Sequence, residues 1–198
     1  AIYIGGDVWH TNVLTVGGNH VTTDIAHGFR LPIDVAEEVK VQHGHSYMKD
    51  IADDETFNVV SFGSEQSQKV SRKELANIIE AREEEILMLV LQEIRRSGYD
   101  GMLPAGIVLT GGGSLMPGIR KLAIDVTGLP VRIGKPERMV GLTDQISTPA
   151  FATSVGLLQW AILMSETNQE SSERSRKRNQ PTNINMEALR AWLRKLLP

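Results

Sequence analysis

Cysteine is absent from this 198-residue sequence. That excludes a disulfide framework, a thiolate zinc site and a cysteine nucleophile, and it fits a reducing cytoplasm. Long hydrophobic runs are missing too. The longest apolar-rich stretches, Ile86–Leu91 and Val155–Met164, fall short of the roughly 20 apolar residues a membrane-spanning helix needs. No signal-peptide pattern stands at the start, and Ile2-Tyr3-Ile4 reads as the middle of a strand, which points to a truncation at Ala1. No internal repeat is visible. What remains, 41% hydrophobic and 23% charged residues, is the composition of a globular protein with one domain, or two small subdomains and a tail.

Charge is divided unevenly. Residues 166–198 hold seven Lys/Arg and four Asp/Glu, a net of +3, against fourteen and twenty in the rest, a net of −6. An acidic body with a basic tail points to a tail that meets an anionic surface.

Along the chain, Gly5-Gly6-Asp7 is a hairpin-type turn between strands expected at Ala1–Ile4 and Thr11–Val16. Gly17-Gly18 breaks the pattern, and Asn19 is a cap for a helix through Val21, Ile25 and Ala26. Pro32 starts a second helix, Ile33 to Val41, which Gly44 stops. Short strands are expected at Asn58–Phe62 and Gln68–Val70. Ser71 and Glu74 form the capping box of a long helix, in which Leu75, Ile78, Ile79, Ile86, Leu89, Val90 and Ile94 recur at helical spacing up to Gly98. Gly106–Thr110 is a buried-strand pattern that ends in Gly111-Gly112-Gly113. A helix from Pro117 to Val126, a strand at Val131–Ile133 and an apolar helix from Pro149 to Met164 follow. Residues 166–183 are polar throughout and predict a disordered linker.

The strand, the turn Thr110-Gly111-Gly112-Gly113-Ser114 and the following helix are the parts that let backbone approach a nucleotide. Glycine leaves room that a β-carbon would fill, and a helix N-terminus offers free N–H groups. The same parts also make a plain strand-to-helix turn with no ligand.

Asn185 caps an expected helix Met186–Leu197. At 100° per residue, Met186, Leu189, Trp192, Leu193, Leu196 and Leu197 fall within an arc of about 140°, with Arg190, Arg194 and Lys195 beside it. The basic flanks and the tryptophan make this an in-plane membrane helix pattern. A helix docked on the protein's own core and a helix taken into a partner's groove are the other readings.

Four segments together resemble the FtsA family of the actin, sugar-kinase and heat-shock-chaperone superfamily. VLTGGGSLMPGI is similar to the superfamily's adenosine motif, and VGGNHVTTDIAHGFRLPIDVAEEVKVQHG to the FtsA stretch after the second phosphate loop. VSRKELANIIEAREEEI resembles the long FtsA helix, and PAFATSVGLLQWA the second hinge helix. The resemblance implies an α/β actin-like ATPase fold, represented by its C-terminal half. Residues 1–30 and 98–165 would form a larger subdomain with a mixed sheet and helices, and 31–97 a smaller inserted one. Residues 166–183 would be the linker and 184–198 the amphipathic helix. It also implies ATP as ligand, with Gly111, Gly112 and Gly113 lining the adenosine, Glu37 and Lys40 reaching ribose and adenine, and Gly17 and Gly18 bordering the phosphates. Glu37 and Lys40 equally fit a plain surface pair. Magnesium and the catalytic groups would belong largely to the absent N-terminal half, so these residues hold no complete catalytic site, and the full-length protein at most a weak ATPase.

The implied partners are the FtsZ C-terminal tail, met by Lys69, Arg72 and Lys73, further copies in an actin-like polymer, anionic inner-membrane lipids and other division proteins, with no nucleic acid. The implied location is the cytoplasmic face of the membrane at the division septum. Another superfamily ATPase or kinase, or a pilus-assembly actin homologue, is the alternative. His43-Gly44-His45 lacks a third ligand at metal-binding spacing and reads as a solvated loop, as does Asp53-Asp54-Glu55.

Overall fold

The computed structural model describes residues 1–61, 63, 66–137 and 146–178, with side chains described as far as 165. The chain divides into a compact unit, Ala1–Val155, and a second unit from Gly156 onward.

The first unit alternates short strands with helices. β1 (Ile2–Ile4) and β2 (Asp7–His10) pair antiparallel, with Ile4 opposite Asp7. The second strand was expected at Thr11–Val16, but the turn is shorter. Gly5 and Gly6 both take positive φ, 62° and 98°, so a two-residue turn closes and pairing resumes at Asp7. Residues 11–16 form neither helix nor strand.

Helix α1 (Gly18–Phe29) and helix α2 (Ile33–His43) follow, with Gly17 and not Asn19 as the first cap. β3 (Thr56–Val60) pairs antiparallel with β4 (Ser67–Ser71) in register from Thr56–Ser71 to Val60–Ser67. α3 (Arg72–Arg96) begins on the expected cap, where Ser71 Oγ accepts from the Glu74 N–H at 3.4 Å. β5 (Ile107–Leu109) and β6 (Val131–Ile133) pair parallel, joined through the crossover helix α4 (Ile119–Thr127).

Among the described residues of this unit two hydrophobic cores form, and α3 serves both. The first gathers Val21, Ile25 and Phe29 of α1, Ala36 and Val39 of α2, Phe57, Val59 and Val70 of the β3–β4 hairpin, and Leu75 and Ile79 of α3. The second gathers Leu87 of α3, Leu122 and Ala123 of α4, Val131 of β6 and Tyr47. A side-chain repeat of 3.6 residues over 25 positions lets one helix present Ile79 to one core and Leu87 to the other. Arg82 braces α3 to α1 through a forked pair to Asp24, 2.5 and 3.1 Å. Thus α1, expected with the larger subdomain, shares its core with the segment expected to form the smaller one.

A 3-10 turn at Pro149–Phe151 leads into α5 (Ala152–Arg178). The helix runs into the segment 166–183 expected as a disordered linker. The reason is local: Glu, Gln, Arg and Lys are good helix formers, and no glycine or proline interrupts the run before Pro181. No helix among the described residues is long and apolar enough to cross a membrane.

Candidate functional site

A polar cluster lies where the start of α1 meets α2. Glu37 and Lys40 stand one turn apart on α2, so their side chains meet. Lys40 Nζ donates to Glu37 Oε2 at 2.6 Å, to Thr22 Oγ1 at 2.8 Å and to Gly18 O at 3.3 Å. Thr22, buried on α1, also donates to Glu37 Oε2. The ammonium is thereby held by three acceptors from two helices. Burial raises the Glu37 carboxyl, yet its bonds to Lys40 and Thr22 outweigh that and hold it below the usual carboxylate range. It stays ionised near neutral pH, and its Oε1 makes no hydrogen bond among the described residues. Gly18 stands so close to Lys40 that a β-carbon there would lie 3.9 Å from Nζ, whereas one at Gly17 would meet nothing.

The triple glycine forms the turn after β5. Gly111 takes φ 86° and ψ 171°, a conformation open to glycine and strained for other residues. Its N–H donates to Pro149 O at 3.0 Å, and the buried Ser114 hydroxyl donates back to Gly111 O at 2.8 Å. Thr110 Oγ1 adds a bond to Gly134 O at 3.1 Å. The turn is thus fixed on its inner side by β5, β6 and the Pro149 segment. On its outer side, a β-carbon on Gly111, Gly112 or Gly113 would meet no atom of the described residues within 4 Å. Just beyond, Met116 packs on Gly44, the residue that ends α2 and whose N–H bonds to Lys40 O at 3.0 Å. The residues after the glycines therefore rest on the end of the helix that carries Glu37 and Lys40.

Sequence reasoning missed Thr22. The usable signal was its position one turn after Gly18 on the same helix. Of the three cations assigned to partner docking, Arg72 is bonded to Glu55 at 2.5 Å and to His43 O at 3.0 Å, and Lys73 pairs with Asp53. Lys69 is exposed on β4 opposite Asn58. His43 stacks on Phe57 with ring centres 4.7 Å apart, and His45 Nδ1 accepts from the Tyr47 N–H. The tail residues Met186, Leu189, Arg190, Trp192, Leu193, Arg194, Lys195, Leu196 and Leu197 lie outside the described residues.

Comparison with known proteins gives one consistent family. The sequence model described as Cell division protein FtsA matches residues 1–156. Cell division protein FtsA of Pseudomonas aeruginosa is 42% identical over 162 residues, covering 82% of this chain and 39% of the relative. That of Escherichia coli K12 is 38% identical over 202 residues, covering 98% and 48%. The chain thus spans less than half the length of these relatives. Among solved structures, MreB 5 of Spiroplasma citri bound to AMPPNP superposes with a TM-score of 0.67 at 20% identity, over 84% of this chain and 50% of that one. The fold is α/β and actin-like, as the sequence resemblance implied.

Proposed function

The chain belongs to the family of cell division protein FtsA, and on that premise we propose that it is the adenosine-binding half of an ATP-binding adaptor. The adaptor self-associates as actin does and anchors the FtsZ ring to the cytoplasmic membrane. The observation that carries the nucleotide part is the pairing of an open triple-glycine turn with an ionised Glu37 held by Lys40. Backbone without β-carbons accepts the flat face of a base at van der Waals distance. Glu37 Oε1 is free to accept from ribose hydroxyls, a charge-assisted contact that a carboxylate makes well. The related fold of MreB 5 was solved with AMPPNP and with ADP, which supports a nucleotide as the ligand here.

Gly17 and Gly18, at the mouth of the Lys40 cluster, border the phosphate side. Bound ATP supplies an assembly ligand that joins this half to the rest of the molecule. Magnesium, as the family resemblance implies, is held largely by the N-terminal half of the full-length protein.

The membrane part rests on the tail pattern of Met186–Leu197, with Trp192 at the interface and Arg190, Arg194 and Lys195 toward anionic headgroups. One short helix of this kind binds reversibly, each basic residue adding on the order of 1 kcal/mol, and a polymer of the protein turns several weak tails into stable attachment. The FtsZ part rests on Lys69, Arg72 and Lys73 at the β3–β4 hairpin and the start of α3.

Calorimetric titration of ATP into the full-length protein tests the nucleotide reading. Lys40→Met, which leaves Glu37 without its cation, lowers affinity by at least about tenfold; unchanged affinity overturns the assignment. Sedimentation with anionic liposomes tests the tail, where Trp192→Glu abolishes binding, and persistent sedimentation contradicts the membrane reading. Reversing the charge at Lys69 weakens the hold on the FtsZ tail peptide, and an undiminished affinity removes that surface from the account.

A further inference from the structure

Beneath the glycine turn three segments converge: the stretch that ends α2, the middle of α3 and the residues after the glycines. A β-carbon on Gly44 would lie 2.9 Å from Met116 Sδ and 3.1 Å from Ile79 Cδ1. The Ser46 N–H donates to Pro117 O at 2.8 Å, and His45 lies against Gly118.

Two polar side chains are sealed into this junction. Ser46 has no exposed surface and Glu83 of α3 is 7% exposed; Glu83 Oε2 has no hydrogen-bond partner among the described residues, and the Ser46 hydroxyl lies beside the carboxyl. A buried carboxyl oxygen left unpaired is costly, and an apolar side chain would fill the same space without that cost. Nothing in the nucleotide site itself uses this group.

We propose that Glu83 is a positioning residue for the nucleoside site, whose neutral carboxyl keeps the 44–47 segment and the 111–118 turn in place and whose ionisation displaces them. The proposal rests on the nucleotide-binding reading above. Burial pushes the Glu83 carboxyl up to about 7, against the opposing pull of the Ser46 hydroxyl and the Lys40 ammonium, and Glu80 pushes it the same way as burial. The charged groups that act on it are Lys40 of α2 and Glu80 of α3; His45 of the following segment lies against Gly118, and residues 111–118 carry no charge.

A carboxylate formed in this pocket must be stabilised by the Ser46 hydroxyl, by Lys40 or by entering water. The first draws on the segment bonded to Pro117. The second competes with Glu37, Thr22 and Gly18 for the same ammonium. The third opens the junction. Each route moves a group on which the nucleoside site depends, so ATP affinity falls as pH rises through 7.

The test is ATP affinity of the full-length protein between pH 6 and 8.5, for wild type and for Glu83→Gln, with thermal unfolding followed over the same range. The phosphates of ATP titrate equally in both proteins, so the difference between the two profiles reports Glu83. Wild-type affinity is expected to fall about fivefold more than that of the variant from pH 6 to 8. Parallel profiles overturn the proposal while leaving the nucleotide reading intact. Absence of ATP binding by the wild type at every pH overturns both. Should Glu83→Gln not fold, Ser46→Ala serves in its place: with the hydroxyl gone, the fall in affinity shifts to higher pH, and an unshifted profile counts against the proposal.

Discussion

At the scale of single residues, adjacent glycines have separable duties. Gly111 has φ 86°, whereas Gly112 lies outside the left-handed region, and a β-carbon on either meets nothing. Gly111→Ala therefore destabilises the fold by about 1 kcal/mol through backbone strain. Gly112→Ala leaves the melting temperature unchanged and weakens ATP binding, because its β-carbon enters the space assigned to the nucleoside. Differential scanning calorimetry beside an ATP titration separates the two.

Glu83 has a pH dependence of opposite sign to that of a paired carboxylate such as Glu37. Its folded pKa is raised, so the folded state holds the proton more tightly than the unfolded chain does. Stability relative to Glu83→Gln is greatest below the ordinary carboxylate range and is lost as pH rises through about 7, which thermal unfolding at pH 4.5 and pH 8 measures. Glu37 and Lys40 were legible in the sequence because their partnership is a local spacing of three on one helix. Thr22 was not, because its bond to Glu37 crosses between helices, and nothing in the local sequence announces that meeting. Glu83 was equally silent: in sequence it is one of several glutamates on a long helix, and only packing distinguishes it from Glu84, which remains partly exposed.

Elements were read best where their signals are local. The Ser71 cap, the stop at Gly44 and the strands at Ile107–Leu109 and Val131–Ile133 follow from side-chain chemistry within a few residues. Ser71→Ala accordingly costs about 1 kcal/mol of stability, observable as a lower urea midpoint. The misplacement of β2 has the same root, since whether Gly5-Gly6 closes a two-residue turn depends on both taking positive φ. The sharing of α3 between two cores was illegible, because its apolar repeat is continuous and does not say which neighbour each turn meets. Ile79, with no exposed surface in the first core, is predicted to cost about 2–5 kcal/mol when cut to alanine. Met88, half exposed, should change stability by no more than about 0.5 kcal/mol. Comparable losses at the two sites would contradict the packing described.

For the whole molecule, the proposed site is one-sided. The glycine turn is anchored on its inner face and meets no described residue on its outer face, which accords with the proposal that a nucleotide is shared with a second half, and the relatives are about twice the length of this chain. The segment Met186–Leu197 lies outside the described residues, and its part in the account comes from the sequence pattern. The central claim, that the Gly111–Gly113 turn and the Glu37–Lys40 cluster together hold a nucleoside, is tested most directly by photolabelling the full-length protein with 8-azido-ATP and mapping the modified peptides. The account predicts label in the tryptic peptide Ser97–Arg120 or Leu31–Lys40, lost on adding excess ATP. Label confined to other peptides, or label that ATP does not displace, would contradict it.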